Sequence, residues 1–400
     1  MKTKYTKEFM KTYIEIKKKS YFENLKKQAK SKLISTVCAD LNISRKYAIK
    51  LLNGSIKNKN SKPGRTKKYT KSAELLFLDL WERINYKCPE YIHADIDGIL
   101  KDLSEVRHIE REDYELLKSM STSTMNRILR KYEKKSPRRR NKRSGINHIF
   151  KEVPCKNAER ELPTIVGELQ VDTVQMCGDT ASGNCWWILN MVDRTTQWDV
   201  CMPTWNRGAY NTKEAIHKSI TQMPFEVHEI HTDSGIEFLN SHVLSYTKEN
   251  NLIFTRSRIG KKNDNARVEQ KNSSIVRCFF GYKRLDQEEL KDILEKYCYM
   301  ISLYNNLFVP CKRLIFRQYK DLHRKTKRKY DTPKTPLERL KETGGGDSKK
   351  IKHYENLKNK INRFKLLEQI KYLRKRIYQK QTEIIKQKYA ARIGNSNPVE

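Results

Sequence analysis

Leu169-Gln170-Val171-Asp172-Thr173 and, further on, Ile230-His231-Thr232-Asp233-Ser234-Gly235 decide how this chain reads. Each sets a carboxylate in, or at the end of, a short apolar run. Such an acid is costly to bury unless it is paired or holds a metal. Acids at the carboxyl ends of strands are also where the sites of α/β sheets gather. A third acid, Glu269, lies on the predicted helix through Asn265-Ala266-Arg267-Val268-Glu269-Gln270-Lys271-Asn272, and 35 residues separate it from Asp233. Singly, Asp172 could cap a strand end, Asp233 could open a turn, and Glu269 could be a surface charge. Together, two carboxylates on neighbouring strands and a third on a helix can bind two Mg²⁺ or Mn²⁺ ions, which prefer oxygen ligands. A metal pair ~3.5–4 Å apart suits an in-line phosphodiester displacement.

Working outward, Gly167 to Cys177 alternates as a strand, Cys185 to Val192 is an apolar run, and Trp198 to Trp205 is a third strand candidate. Ala209 to Met223 reads as helix, Val227 to Thr232 as strand, Phe238 to Asn250 as helix, Leu252 to Arg256 as strand and Asn265 to Phe280 as helix. That order predicts a mixed α/β layered domain. Trp186, Trp187, Trp198 and Trp205 are expected to pack the sheet rather than stack bases. His231 reads as a strand-end histidine, and Asp179, Asp193 and Asp199 as turn residues.

The charge distribution narrows the partners. The chain of 400 residues carries a formal net charge of +36. Residues 1–150 are net +20, residues 151–300 net −2 and residues 301–400 net +18. A nearly neutral centre between two basic arms calls for a polyanion, most simply nucleic acid, such as double-stranded DNA, or an anionic membrane surface. No apolar run approaches the ~20 residues that span a bilayer, and the Lys-rich start has no apolar segment of a secretory signal. The nine cysteines are scattered and never in C-x-x-C spacing, which fits reduced thiols in a cytosolic compartment, and no Cys/His cluster reads as a zinc site.

In the first arm, Leu33 to Gly54 reads as a helix-turn-helix unit. Ile34, Val37 and Leu41 share a face, Ser44 is placed to cap a second helix, and Gly54 is placed to close it. Arg45, Lys46 and Lys50 on that helix suit phosphates or bases in a major groove; otherwise they are solvated charges. After a linker around Pro63-Gly64, residues 61–131 read as a second helical DNA-binding unit. Its last helix buries Met125, Ile128 and Leu129 and presents Arg127 and Arg130. The basic run that follows, with Arg138, Arg139 and Arg140, reads as an arm gripping the DNA backbone. Lys261, Lys262 and Lys271 flank the Glu269 helix and are expected at phosphates. Past a core-docking helix at Leu290 to Leu307, residues 321–350 read as basic loop and 355–390 as one long basic helix. On that helix Leu366, Ile370, Leu373, Ile377 and Ile384 form a heptad-like seam, to pair two chains or to pack on its own domain.

Three segments carry a family resemblance: Glu168 through Asp172; His231-Thr232-Asp233-Ser234-Gly235-Ile236-Glu237-Phe238; and Thr255-Arg256-Ser257-Arg258 with Lys262-Asn263-Asp264-Asn265-Ala266-Arg267-Val268-Glu269-Gln270-Lys271-Asn272. They resemble the integrase-type catalytic core of bacterial insertion-sequence transposases, the group similar to retroviral integrases. The match covers roughly 165–285, and Lys329 to Pro336 more loosely. Ser234 stands where the commoner form has Asn, and Arg267 where many relatives have His. No N-terminal zinc module is present. The resemblance implies a ribonuclease-H-like fold, with Asp172, Asp233 and Glu269 as ligands to divalent metal. It implies metal-dependent cleavage at element ends and strand transfer by the freed 3′-hydroxyl, carried out by a homodimer or higher homo-oligomer.

The expected organisation is a multidomain chain. A helix-turn-helix (1–60) and a second helical unit (61–131) lead through a basic linker (132–164) to the α/β ribonuclease-H-like core (165–285). A docking helix with a basic loop region (286–345) and a basic C-terminal helix (346–400) follow. The expected activity is that of a polynucleotidyl transferase, a DNA transposase. The alternatives are a transposase-derived repressor, whose DNA binding would survive EDTA, and a metal-dependent nuclease without strand transfer.

Overall fold

The computed structural model describes residues 7–22, 27–54, 68–130, 152–156, 165–258, 262–319 and 326–394. They fall into two compact units, divided between Lys68 and Tyr69. In the first, α1 (Lys7–Phe22), α2 (Lys27–Leu41) and α3 (Arg45–Leu52) close over a small core of Ile14, Ile34, Val37, Leu41, Ala48 and Leu52. The turn between α2 and α3 needs a left-handed residue, and Asn42 supplies it at φ 52°. Gly54 ends α3 at φ 67°, a conformation that glycine adopts without a Cβ clash. Ser44 occupies the N-cap position of α3, but its side chain makes no capping hydrogen bond.

The second unit is built on a five-stranded mixed sheet: β1 (Glu168–Gln175), β2 (Trp186–Asp193), β3 (Asp199–Trp205), β4 (Glu229–Thr232) and β5 (Ile253–Arg256). The spatial order is β3-β2-β1-β4-β5. The first three strands form an antiparallel meander, while β4 and β5 run parallel to β1. Parallel neighbours need crossovers, and these are α9 (Ala209–Thr221) and α10 (Ser241–Glu249). Nearly every residue of β2 and β3 is buried. Since side chains alternate between faces, such strands must be covered on both sides. The apolar run Cys185 to Val192 is therefore a central strand. Past β5, α11 (Ala266–Lys271), a π-helical turn (Asn272–Arg277) and α12 (Cys278–Phe280) run on as one helix, followed by α13 (Lys291–Phe308).

The helices α4 (Lys71–Arg83), α5 (Pro89–Ala94), α6 (Ile96–Val106), α7 (Arg111–Lys118) and α8 (Thr122–Leu129) bury their apolar faces in one cluster with the sheet. The compact unit accordingly runs from Tyr69 onward, across the expected boundaries near 131 and 164, which themselves lie outside the described residues.

The C-terminal region departs from expectation in two places. The expected loop at 321–350 contains part of a hairpin, β6 (Leu314–Tyr319) with β7 (Thr326–Tyr330), and α14 (Pro336–Thr343). A capping box at Thr335 and Glu338, with Pro336 in the first turn, starts α14, and Gly344 ends it. The expected single helix at 355–390 is two, α15 (Ser348–Lys360) and α16 (Arg363–Gly394). Asn362 makes the break, its side chain accepting from the N–H groups of Phe364 and Lys365. The heptad-like seam packs on its own chain: Leu366, Ile370, Leu373, Ile377 and Ile384 are buried where α16 lies against α13 and α6.

Candidate active site

Strand register places the first two acids. β1 and β4 pair in parallel with Val171 opposite Thr232. Asp172, still inside β1, and Asp233, just past β4, are the next residue of each. Asp233 follows the last residue of β4, and its Oδ1 accepts from the Gly235 N–H at 2.9 Å. Asp172 accepts at Oδ1 from the Thr173 N–H and at Oδ2 from the Asn272 side chain, each at 2.8 Å.

Glu269 arrives on α11, which packs on β1 and β2. Its approach is fixed by polar contacts of the residues just before it. Gln170 on β1 donates to the Asp264 carbonyl at 2.9 Å, and Asn265 donates to the Val171 carbonyl at 3.2 Å. The fully buried Asp264 carboxylate takes two bonds from the Arg258 guanidinium, at 2.9 and 2.8 Å, and one from its N–H. The loop ahead of Glu269 is thus tied to the strand that carries Asp172. Asp172 and Asp233 are half-buried and Glu269 is exposed.

Burial pushes the Asp172 carboxyl well above the usual carboxylate range, and repulsion from Asp233, Glu237 and Glu269 adds to it against the Thr173 hydrogen bond. Asp172 is thus within electrostatic reach of Asp233 and of Glu269. Among the described residues, no three His, Cys, Asp or Glu side chains converge as a ready-made metal cluster.

Two further residues belong to this constellation. Glu237 is buried, and its Oε1 accepts from Thr173 Oγ1 at 3.2 Å and from Arg207 at 2.9 Å. Its Oε2 is buried with no hydrogen-bond donor. A Cβ on Gly235 would lie 2.5 Å from that oxygen, so glycine is what lets the carboxylate fold back against the turn. Asn272 sits three residues after Glu269, one helical turn on, and accepts from Asn190 at 3.0 Å. Asn190 lies opposite Asp172 in the β1–β2 register. The relay Asn190–Asn272–Asp172 holds the first acid from the π-helical turn. The acid four residues past Asp233 and the amide three past Glu269 were signals available in the sequence.

Other expectations resolve as follows. His231 is buried between Thr255 Oγ1 at 2.8 Å and Ser257 Oγ at 3.2 Å, and burial holds its imidazole down to about 4. Asp193 is a turn residue, accepting from the N–H groups of Gly167, Thr195 and Thr196. Asp199 is not: it lies on β3, fully buried, with Lys271 at 3.8 Å. Burial pushes Asp199 up to about 6 against the pull of Lys271 and Lys87. Trp186 and Trp198 are buried, and Trp187 carries the Arg207 guanidinium 4.5 Å above its ring.

Of the expected DNA contacts, Arg45, Lys46 and Lys50 are exposed on α3, and Arg45 donates back to Ser31 and Ser35. Arg127 and Arg130 are exposed at the end of α8. Lys271 turns inward to Asp199. Lys262 begins the turn before α11. Arg138, Arg139, Arg140 and Lys261 lie outside the described residues.

No protein-family model matches the chain. It is 27% identical over 315 residues to the uncharacterized protein y4rM of Sinorhizobium fredii (strain NBRC 101917 / NGR234), covering 78% of this chain and 89% of that one. Similar solved structures include the HTLV-2 integrase catalytic core in complex with magnesium, at 14% identity and a TM-score of 0.28, covering 37% of this chain and 91% of that one. The intasome of simian T-cell lymphotropic virus is similar at 12% identity and a TM-score of 0.30, over 57% and 72% of the two chains. The catalytic core of BIV integrase is similar at 15% and 0.25, over 35% and 83%. Among the described residues, no helix is long and apolar enough to cross a membrane.

Proposed function

We propose that this protein is a DNA transposase that cuts at the 3′ ends of an insertion sequence and joins those ends to target DNA. The observation that carries the reading is the placement of Asp172 within β1 and Asp233 just past the end of β4, each following the register pair Val171 and Thr232, with Glu269 on a helix tied to β1. Asp172, buried and repelled by the acids beside it, suits a dication. The donor oxygens are hard, and Glu237 Oε2 is without a hydrogen-bond donor. Asp172, Asp233 and Glu269 would hold Mg²⁺ or Mn²⁺, two ions per site. Bound there, the metals supply activation of the attacking oxygen and stabilisation of the leaving one.

The chain's own groups orient the acids. Asn272 fixes one Asp172 oxygen, the Gly235 N–H fixes one of Asp233, and the Arg258–Asp264 pair fixes the approach of Glu269. In strand transfer the 3′-hydroxyl of the cut end attacks a target phosphorus. One phosphodiester bond forms, one breaks, and the target's own 3′-hydroxyl leaves. The exposed cations Arg45, Lys46, Lys50, Arg127 and Arg130 are assigned to the DNA ends and target. Acting at two ends requires at least two copies of the chain.

The test is a strand-transfer assay with Mn²⁺. The donor is DNA from both flanks of the gene, the target is a supercoiled plasmid, and Glu269→Gln is the control. Joined products with the wild type alone are expected. Binding of the donor without cut or joined product would overturn the reading in favour of a repressor. Cutting without joining would favour a nuclease.

A further inference from the structure

A cavity of about 370 Å³ opens against the helix that carries Glu269, with none of the three acids in its lining. Gln270 and Lys271, the two residues after Glu269, line it, together with Ser274 of the π-helical turn. Lys87 and Lys312 come from the other walls, and among the described residues no acid lines it. Three ammonium groups without a lining carboxylate mark an anion site. The buried Asp199 behind Lys271 offsets one of the three. Burial pushes the Lys87 ammonium down, a shift that an anion would reverse.

The rim adds a second observation. Asn85 and Tyr86 are consecutive residues in the left-handed region, at φ 60° and 57°. Two adjacent non-glycine residues adopt it only when their surroundings enforce it, and such strain gathers at ligand sites. Here Trp81 enforces it. Its indole N–H donates to the Lys87 carbonyl at 3.0 Å, its own carbonyl accepts from the Tyr86 N–H, and the two rings meet edge to face at 4.9 Å. The result is a tyrosine 58% exposed at the mouth of a cationic cavity. Aromatic faces that stack bases, combined with lysines that take phosphates, are the equipment for single-stranded nucleic acid.

We propose that this cavity takes an unpaired nucleotide of the DNA, its phosphate on Lys87, Lys271 and Lys312 and its base against Tyr86. The inference rests on the transposase reading and adds where a frayed or extruded nucleotide next to the scissile position is held. A cavity of this size falls in the ordinary range for small-ligand sites, ~300–1,000 Å³.

The test uses the full-length chain and two probes: a blunt duplex, and the same duplex with a short single-stranded overhang carrying 2-aminopurine. Wild type is expected to bind the overhang probe on the order of tenfold more tightly and to change its fluorescence on stacking. Lys312→Gln and Lys87→Met are expected to lose that preference and to lower the salt dependence by roughly 0.7 per lost phosphate contact. Tyr86→Ala, at an exposed position, is expected to lose the overhang preference and the fluorescence change while blunt-duplex affinity stays. Equal affinity of wild type for both probes, or an unchanged preference in Lys312→Gln and Tyr86→Ala, overturns the proposal. Mn²⁺-dependent cleavage by wild type and Asp172→Asn is measured in parallel. Triad-dependent cleavage with no overhang preference sinks the pocket and leaves the transposase reading standing. Overhang preference that the three variants lose, without any cleavage, does the reverse.

Discussion

Arg363 at the start of α16 joins the helical segment before the sheet to the C-terminal helix after it. The residue is 4% exposed, and its guanidinium donates through Nη1 to Asp95 at 2.5 Å and through Nε to Asp102, and lies 5.2 Å above the Phe308 ring. Burial pushes the Asp95 carboxyl up even with Arg363 opposing the shift, so the pair stands on a substantial desolvation cost. Arg363→Met keeps the apolar stem and removes the charge. Removing one partner of a fully buried pair costs about 3–5 kcal/mol, because the other charge is left uncompensated. Asp95 and Asp102 retain 28% and 15% side-chain exposure, so the expected loss is about 3 kcal/mol, the lower end. Urea unfolding followed by tryptophan fluorescence reads it as a lower midpoint at constant slope. Replacing Asp95 and Asp102 by Asn in the same background should recover at least half of the loss. A change under about 1 kcal/mol for Arg363→Met would refute the reasoning. So would a triple variant no more stable than the single.

Asn272→Ala removes the donor that orients Asp172. Metal-dependent cleavage is expected to fall about 10–100-fold with DNA affinity unchanged; equal losses of binding and cleavage would count against a positioning role. For Asp199 the folded carboxyl sits at about 6 against an ordinary 3.8. Its contribution to stability is full at acid pH and is lost as pH rises between those values, about 3 kcal/mol in all. Asp199→Asn should erase that component of the stability–pH curve between pH 4 and pH 7, as measured by urea midpoints; a slope identical to wild type would contradict it. Thr335→Ala breaks the capping box of α14 and should cost about 1 kcal/mol, read in the same assay, with no effect on metal dependence.

The central strands were legible because they sit in layers covered on both faces. Cys185 to Val192 could be apolar without interruption, and Leu169, Val171 and Asp172 could carry one acid among buried neighbours. Asp172 and Asp233 stood out for the same reason: a carboxylate in an apolar frame is costly, so its presence is information; Glu269, exposed on a polar helix, stood out by its spacing from Asp233 and by its flanks. Glu237 and Asn272 carried less signal, since a glutamate in a turn and an asparagine on a helix are ordinary until their partners are known. At 321–350 dense positive charge resembles loop, while Thr335-Pro336-Leu337-Glu338 carries a local helix start, a capping box with proline in the first turn.

Local chemistry alone settled the short-range features: the left-handed ends at Asn42 and Gly54, the capping box at Thr335, and the alternation that makes β1 a strand. The tertiary structure decided the long-range ones. Whether the seam from Leu366 to Ile384 joins two chains or packs on its own depends on whether α13 and α6 offer a matching apolar face, and they do. Whether Asp199 serves a turn or sits beneath Lys271 depends on the register of β3 against β2. Spacing along a chain reports which residues share a strand or a helical face, because the backbone period is local. It does not report which face meets which, because that is set by burial summed over elements far apart in sequence.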